Sequence, residues 1–393
     1  MLKCFLDTAD KTMCTGCRAC ELSCPKSAIK MVEDSEGFYF PVISESDCIH
    51  CDICRKNCPV TTPPEKRLYI DFYAAQSKNE KELANSSSGG CFITLAKQII
   101  EEGGVVFGCV FDEDFNAVTV CAETYEELIP MQGSKYVQCN VGATYKQAEA
   151  LLQDGRKVFY TGTPCQIAGL KKYLRKEYEN LITMDFLCHG VPSNKLFKEN
   201  IKYLEKKYKG KLSNYKFRDK SKKGWGMMTS FSVGKRKVYQ QGRLNAYAGA
   251  FTLGLIDREC CYSCKFVGQK RMSDITVADF WGFKDFNYEF KKVYDGVSIF
   301  MVNTDKGKVM CGKLESKMLF SGRKIEEAFS GNASLASDTR NMAIPNARKV
   351  VYENMNKYDS LAEGFLKPKN YRNLLIIQHI PRWMTRLIRT LKG

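Results

Sequence analysis

A chain of 393 residues with 44% hydrophobic side chains is long enough for two or three globular cores. It carries no uninterrupted apolar run that could span a bilayer, and its N-terminus, MLKCFLDTADK, has no apolar signal segment, so export is not expected. A net charge of +16 would suit nucleic acid, an anionic membrane, acidic proteins or phosphate-bearing cofactors; no nucleic-acid recognition motif accompanies it, so that partner is not expected and most lysines read as solvated surface.

Eight of the 19 cysteines fall in two copies of one run, CTGCRACELSCP and CIHCDICRKNCP. Both have the spacing C-x2-C-x2-C-x3-C-P of bacterial ferredoxins. Three thiolates two residues apart wrap one face of an iron–sulfur cube. The fourth lies too far round to close the same cube and ligates the other cluster. Cluster one is therefore assigned to Cys14, Cys17, Cys20 and Cys58, and cluster two to Cys48, Cys51, Cys54 and Cys24. Zinc has no use for a third cysteine in each run, and a disulfide framework needs a secreted chain. Thiols kept as cluster ligands must stay reduced, which places the chain in the cytoplasm.

Between the two runs, the stretch 29–43 contains the strand-like FYFPVI and should form the small core beneath the clusters. VTTPP ends the module, and residues 1–65 are read as a ferredoxin domain. LYIDFYAAQS then opens a second region with a strand. NSSSGG precedes a helix in which Phe92, Leu95, Ala96 and Ile99 recur at helical spacing. Ser88, Gly89 and Gly90 thus sit at a helix N-terminus, where unpaired N–H groups either cradle a phosphate or make an ordinary cap and turn. VVFGCVF and AVTVCA read as paired strands. The loop containing Gly133, Ser134, Lys135 and Tyr136 precedes a helix around 145–152.

KVFY is a short buried strand running into Gly162, Thr163, Pro164 and Cys165. Thr163 suits the N-cap and Pro164 the first helical position. The next strand, LITMDFL, ends at Cys188, His189 and Gly190, and Ser193 caps another helix. Parallel strands joined by a crossover helix put their C-terminal ends along one edge, where ligands gather. Cys165 and Cys188 should face one site there, or else be buried structural cysteines. His189 is a candidate proton donor, or else a loop histidine bonded to backbone. After residue 210, YKFRDK, MMTSFSV and KRKVY read as strands, and KGWG as an aromatic loop. Cys261 and Cys264 form a two-ligand claw for a cluster, zinc or a redox dithiol, with Cys165 and Cys188 the available partners for a metal. The strand DITVADF ends at Asp279, which fixes a ribose hydroxyl or braces a loop. GVSIFMVNT is a further strand and KGKVMCGKL begins a helix. The final stretch puts Trp383, Met384, Leu387, Ile388 and Leu391 opposite Arg382, Arg386 and Arg389, a basic amphipathic helix for an anionic membrane surface or for the protein's own body.

Taken together, SSSGG, GSKY, GTPCQ, CHG, CYSCKF and DITVADFWGF resemble the coenzyme F420 hydrogenase/dehydrogenase beta-subunit family, with a ferredoxin module fused ahead. The resemblance covers about residues 75–310. It implies an α+β multi-domain chain: the ferredoxin-like domain 1–65, an α/β flavin and iron–sulfur domain over 66–345 (parts 66–155 and 156–345), and a basic helical tail, 346–393. It also implies FAD contacts at Ser88, Gly89, Gly90, Gly133, Ser134, Lys135, Tyr136, Gly162, Thr163 and Asp279, and a third 4Fe-4S cluster on Cys165, Cys188, Cys261 and Cys264. Ala278 departs from an expected glycine and Cys139 from a small hydroxyl residue. The implied function is an iron–sulfur flavin-dependent oxidoreductase. It passes electrons from the ferredoxin clusters through a third cluster to FAD and on to a small organic substrate. Ferredoxin or another redox protein is its partner. The alternative is a non-catalytic subunit relaying electrons to a partner protein.

Overall fold

The computed structural model describes residues 3–242, 245–285, 288–290 and 292–358. The tail helix expected over 382–391 lies outside the described residues, and of the region after 345 only the Asn346–Tyr358 helix is described. Among the described residues no helix is long and apolar enough to cross a membrane.

Residues 29–43 form the expected small support: β1 (Ile29–Glu33) and β2 (Tyr39–Ile43) pair antiparallel, with Ile29 opposite Ile43. Each cysteine run folds alike around a four-residue helix, Ala19–Leu22 and Ile53–Lys56. Each run also turns through the left-handed region at matching places, Gly16 with His50 and Arg18 with Asp52. Turns at matching places give the two runs the same local backbone path. The repeats meet through their own equivalent residues: Asn57 Nδ2 donates to Ser23 Oγ at 2.9 Å across a separation of 34 residues.

The larger body is built on one eight-stranded mixed sheet. Its strands are β3 (Asp71–Ser77), β4 (Val105–Phe111), β5 (Ala117–Ala122), β6 (Val158–Thr161), β7 (Leu181–Phe186), β11 (Ile275–Asp279), β12 (Ser298–Val302) and β13 (Met318–Gly322). A separate antiparallel sheet holds β8 (Leu212–Lys216), β9 (Met228–Val233) and β10 (Arg236–Gln241). Across the large sheet the order is β13, β3, β12, β11, β7, β6, β4, β5. The four strands β11, β7, β6 and β4 run parallel, and antiparallel partners close both sides. Parallel strands need cover on both faces, which explains why Val105, Phe107, Val158, Phe159 and Ile275 are fully buried. Strands from 66–155 and from 156–345 interleave in this sheet, so the two parts share one core.

Two local expectations change. β8 ends at Lys216, and Phe217 to Lys220 leave the ladder with all four side chains buried, rather than continuing as an alternating strand. Their charged heads bond carbonyls and a carboxylate inside the body, while Asp219 N still donates to Met228 O of β9 at 2.7 Å. β13, absent from the reading of the sequence, pairs with the outer edge of β3. The ferredoxin module is fixed to the larger body by Ser193 Oγ donating to Glu36 O (2.6 Å), by Gln138 Nε2 donating to Thr15 O (2.9 Å), and by the Arg348–Glu36 ion pair.

Candidate functional site

The first site is the thiol set of cluster one. Cys14 and Cys17 are buried, 9% and 8% exposed. Cys58 arrives from the second run, and in each of the six pairs among Cys14, Cys17, Cys20 and Cys58 a negative charge on one thiol opposes ionisation of the other. Burial is the larger effect and pushes Cys17 up to about 12. Such thiols stay neutral unless a cationic iron core compensates them, which is the chemistry of a cluster site. A cavity of about 30 Å³ lies between these thiols, lined also by Met31, Pro41 and Val60. Backbone N–H groups point at the sulfurs: Gly16 N to Cys14 Sγ (3.4 Å), His50 N to Cys48 Sγ (3.4 Å) and Ala28 N to Cys24 Sγ (3.3 Å). Donors of this kind favour thiolate over thiol. Cys51 is exposed and neighbours Cys54, so the second run's side of the module faces solvent. The residues present fit two four-iron clusters.

The second site is the edge formed by the C-terminal ends of β6, β7 and β11. The helix Pro164–Leu174 starts there, its N-cap Thr163 preceding Pro164 as the sequence suggests. Cys165 sits in its first turn, Cys188 follows β7, and the Cys261–Cys264 claw comes from a separate loop. All six pairs among these four thiols interact electrostatically, and burial holds Cys165 and Cys264 above the usual thiol range. In Cys261 a hydrogen bond with Cys260 is the first cause of the same rise, ahead of burial. Phe266 N donates to Cys264 Sγ at 3.4 Å, repeating the pattern of the ferredoxin runs. One side chain ties the loops together. Arg340 donates to His189 O (2.7 Å), Cys188 O (3.0 Å) and Cys261 O (3.3 Å), while its own N–H donates to Cys264 O (2.8 Å). Among the described residues no three metal-ligating side chains close on a single point as one metal ion requires; a cube holds its thiolates apart at its corners.

The expected flavin contacts divide. Gly89 is consumed by packing: a β-carbon there would lie 2.3 Å from Ala75 O and 2.8 Å from Ser298 N. Ser88 Oγ donates to Val297 O at 2.9 Å, and Gly90 is the N-cap of the Cys91–Glu101 helix. Gly162 N donates to Met184 O, and the Thr163 hydroxyl faces Cys165 Sγ at 3.2 Å, on the side of the four thiols. Gly133 borders open space. Ser134 N and Oγ both bond Ser87 Oγ (2.7 and 2.9 Å), which joins the serine-rich loop to the 133–136 loop. His189 is exposed, its ring 6.2 Å from that of Phe251.

Arg218 and Lys220 were missed by the reading of the sequence, which took them for strand residues. Arg218 grips Asp279 with two bonds of 2.8 Å, and also donates to Tyr136 Oη (3.1 Å) and Ser87 O (3.1 Å). Trp225 Nε1 donates to the same carboxylate at 2.6 Å and its ring stacks on Trp281 at 4.9 Å. Both oxygens of Asp279 are therefore engaged within the protein. Lys220 Nζ donates to Leu83 O (2.8 Å), Ser88 O (2.7 Å) and Asp295 O, and burial brings its pKa down to about 8. Lys135 Nζ donates to Met131 O and Gly133 O and is likewise lowered by burial. Among the described residues neither lysine has an ion-paired carboxylate. The buried Lys220 and the half-buried Lys135, the latter beside Gly133, are cations that suit an anion such as a diphosphate. A groove of about 580 Å³ lies elsewhere, between Tyr69–Tyr73 and Gly322–Glu327, and touches none of these residues.

Comparison with known proteins bears on both sites. Residues 13–62 match the 4Fe-4S dicluster domain. Residues 72–146 match the N-terminal model, and 155–328 the C-terminal model, of the coenzyme F420 hydrogenase/dehydrogenase beta subunit. The coenzyme F420-dependent sulfite reductase of Methanocaldococcus jannaschii is 25% identical over 339 residues, 82% of this chain and 48% of that protein. A subunit of the F420H2 dehydrogenase of Methanosarcina mazei is 23% identical over 209 residues, 48% of this chain and 58% of that protein. The chain thus spans about half the length of the curated relatives it matches. A chain of the F420-reducing NiFe hydrogenase complex from Methanosarcina barkeri superposes with a TM-score of 0.48 at 16% identity, covering 75% of this chain and 95% of that one. With an N-terminal 4Fe-4S dicluster domain followed by both beta-subunit regions, the chain belongs to the coenzyme F420 hydrogenase/dehydrogenase beta-subunit family.

Proposed function

We propose that the chain is an iron–sulfur flavin-dependent oxidoreductase. It would carry electrons between a one-electron protein donor and a small organic two-electron carrier. The observation that bears most weight is the adjacency of the two thiol sets. Cys58 of the first set and Cys165 and Cys264 of the second pack around one apolar cluster of Val60, Ala168, Phe266 and Met272. When bound, the clusters supply one-electron transfer and FAD couples two such electrons to a hydride. The chain's own residues do the rest. Cys14, Cys17, Cys20 and Cys58, then Cys24, Cys48, Cys51 and Cys54, hold the two ferredoxin clusters. Cys165, Cys188, Cys261 and Cys264 hold a third, with Arg340 fixing their loops. Val60, Phe266 and Met272 exclude water between the sets, which limits reorganisation around a moving charge. Lys135 and Lys220 would receive the flavin's diphosphate, and Tyr136 and Arg218 shape the wall beside it. The relatives' names make coenzyme F420 the first organic carrier to try.

Anaerobic purification with iron, sulfide and flavin quantified together tests this reading. About 12 irons and one FAD per chain are expected from three four-iron clusters. About eight irons would remove the third cluster. Clusters without flavin would favour the second reading, a subunit that only relays electrons to a partner protein; the chain's match to about half of the longer sulfite reductase supports that reading.

A further inference from the structure

Arg258 is fully buried, 0% exposed, and among the described residues it has no ion-paired carboxylate. Its Nε donates to Cys14 O (2.8 Å), and its Nη2 donates to Tyr39 O (2.9 Å) and reaches Cys14 Sγ (3.5 Å). Nη1 donates to Gln138 Oε1 (3.2 Å), and the guanidinium lies 4.2 Å from the Phe40 ring centroid. A buried cation with only neutral partners is costly and needs a compensating anion. The guanidinium charge acts on the thiols of Cys14, Cys260 and Cys261; among the described residues Cys14 alone is within hydrogen-bond reach of it, and the cluster that Cys14 holds gains one negative charge on reduction.

The internal repeat supplies the comparison. Cys48 is the equivalent of Cys14 and receives the same backbone N–H···S bond, but among the described residues no guanidinium donates to it. Arg55, within the second run, also acts on Cys54, but its charge is already paired with Asp7 and Asp52 at 2.7 Å each, and Arg18 is paired with Glu21. Cys51 is exposed, whereas Cys14 is buried. Net charge, hydrogen bonds to sulfur and solvent exposure all set cluster potentials, and the buried charge distinguishes the two halves most sharply.

We propose that Arg258 is a potential-setting residue: its buried charge favours the reduced state of the cluster on Cys14, Cys17, Cys20 and Cys58. An electron received on the exposed Cys51 side therefore settles on the Cys14 side, against the helix that carries Cys165. The step moves one electron from an external one-electron donor and makes or breaks no bond. The proposal rests on the ferredoxin module holding both its clusters, not on the third cluster or the flavin.

The test is an anaerobic redox titration of the full-length holoprotein, read by EPR of the reduced clusters, for the unaltered chain, R258Q and R258K. Cys20→Ala and Cys51→Ala assign the steps, since each removes a ligand from one cluster only. In the unaltered chain the two ferredoxin clusters should titrate separately, with the Cys20-dependent step at the higher potential. R258Q should move that step by at least 59 mV to more negative potential, tenfold in the equilibrium of a one-electron couple. It should leave the other step in place, and R258K, which keeps the charge, should move it less. Coincident steps, or the reverse order, in the unaltered chain overturn the proposal without any variant. So does R258Q with full iron and unmoved potentials. Iron content separates the failures: a chain lacking the ferredoxin irons loses the clusters themselves, whereas full iron with no shift removes only the role of Arg258.

Discussion

Gly169 lies directly against Cys17: a β-carbon on the glycine would stand 2.9 Å from the Cys17 β-carbon and 3.1 Å from its Sγ. Gly169 is on the helix that carries Cys165 in its first turn, about one helical turn further along, so Cys17 packs on the same helix that presents Cys165. The proposed transfer between the two sets depends on this contact.

Gly169→Ala tests it. In an exposed helix interior, alanine in place of glycine would stabilise by about 1 kcal/mol. Here the added methyl meets Cys17 and also Tyr145 Oη at 3.0 Å, and neither is a free surface group. Overpacking should reverse the sign, with a net loss of about 1–3 kcal/mol. Thermal unfolding and iron content of the anaerobically purified variant check this; a more stable variant with full iron would show that the contact yields easily.

Arg340→Ala removes three side-chain bonds to the carbonyls of Cys188, His189 and Cys261. Charge-assisted bonds of this kind contribute about 1.5–3 kcal/mol each at most. The expected result is selective: about four of about 12 irons become labile to a chelator, while the ferredoxin irons stay. Equal loss from all clusters would mean that Arg340 supports the body as a whole.

Lys220 gives a pH prediction. Burial lowers its pKa to about 8 from the ordinary lysine value of 10.5. Between these values the unfolded chain holds the proton more tightly, so this lysine's penalty is complete below about pH 8 and is relieved as pH rises toward 10.5. Its cation, however, is lost over the same range. Flavin affinity should therefore weaken above about pH 8 in the unaltered chain, and Lys220→Met should weaken it at about pH 7 and flatten the profile. Titration of FAD fluorescence at a series of pH values reads both. A profile identical in the variant would take Lys220 out of the cofactor site.

Asp279→Asn leaves Arg218, whose side chain is 1% exposed, without its carboxylate. Breaking one side of a buried ion pair costs about 3–5 kcal/mol. Urea denaturation should show most of that loss. The double variant R218M/D279N should recover part of it, because neither charge is then stranded. No recovery would mean that Trp225 and Tyr136 depend on these side chains for more than charge.

The two cysteine runs determined most of what can be known of this protein without coordinates. Ligand spacing is local along the chain, and the backbone turns at Gly16, Arg18, His50 and Asp52 follow from it. The crossover unit from β6 to β7 was legible for a similar reason, since Thr163 and Pro164 mark a helix start and the parallel strands fix which edge Cys165 and Cys188 share. Tertiary structure alone decided the rest. That Gly89 serves strand packing, that Asp279 is gripped by Arg218 and Trp225, and that Arg258 reaches Cys14 across 244 residues depends on contacts between distant segments. A charged residue carries no mark in sequence of whether its partner is water or a buried group, because that choice is made only when the sheet closes and removes the water.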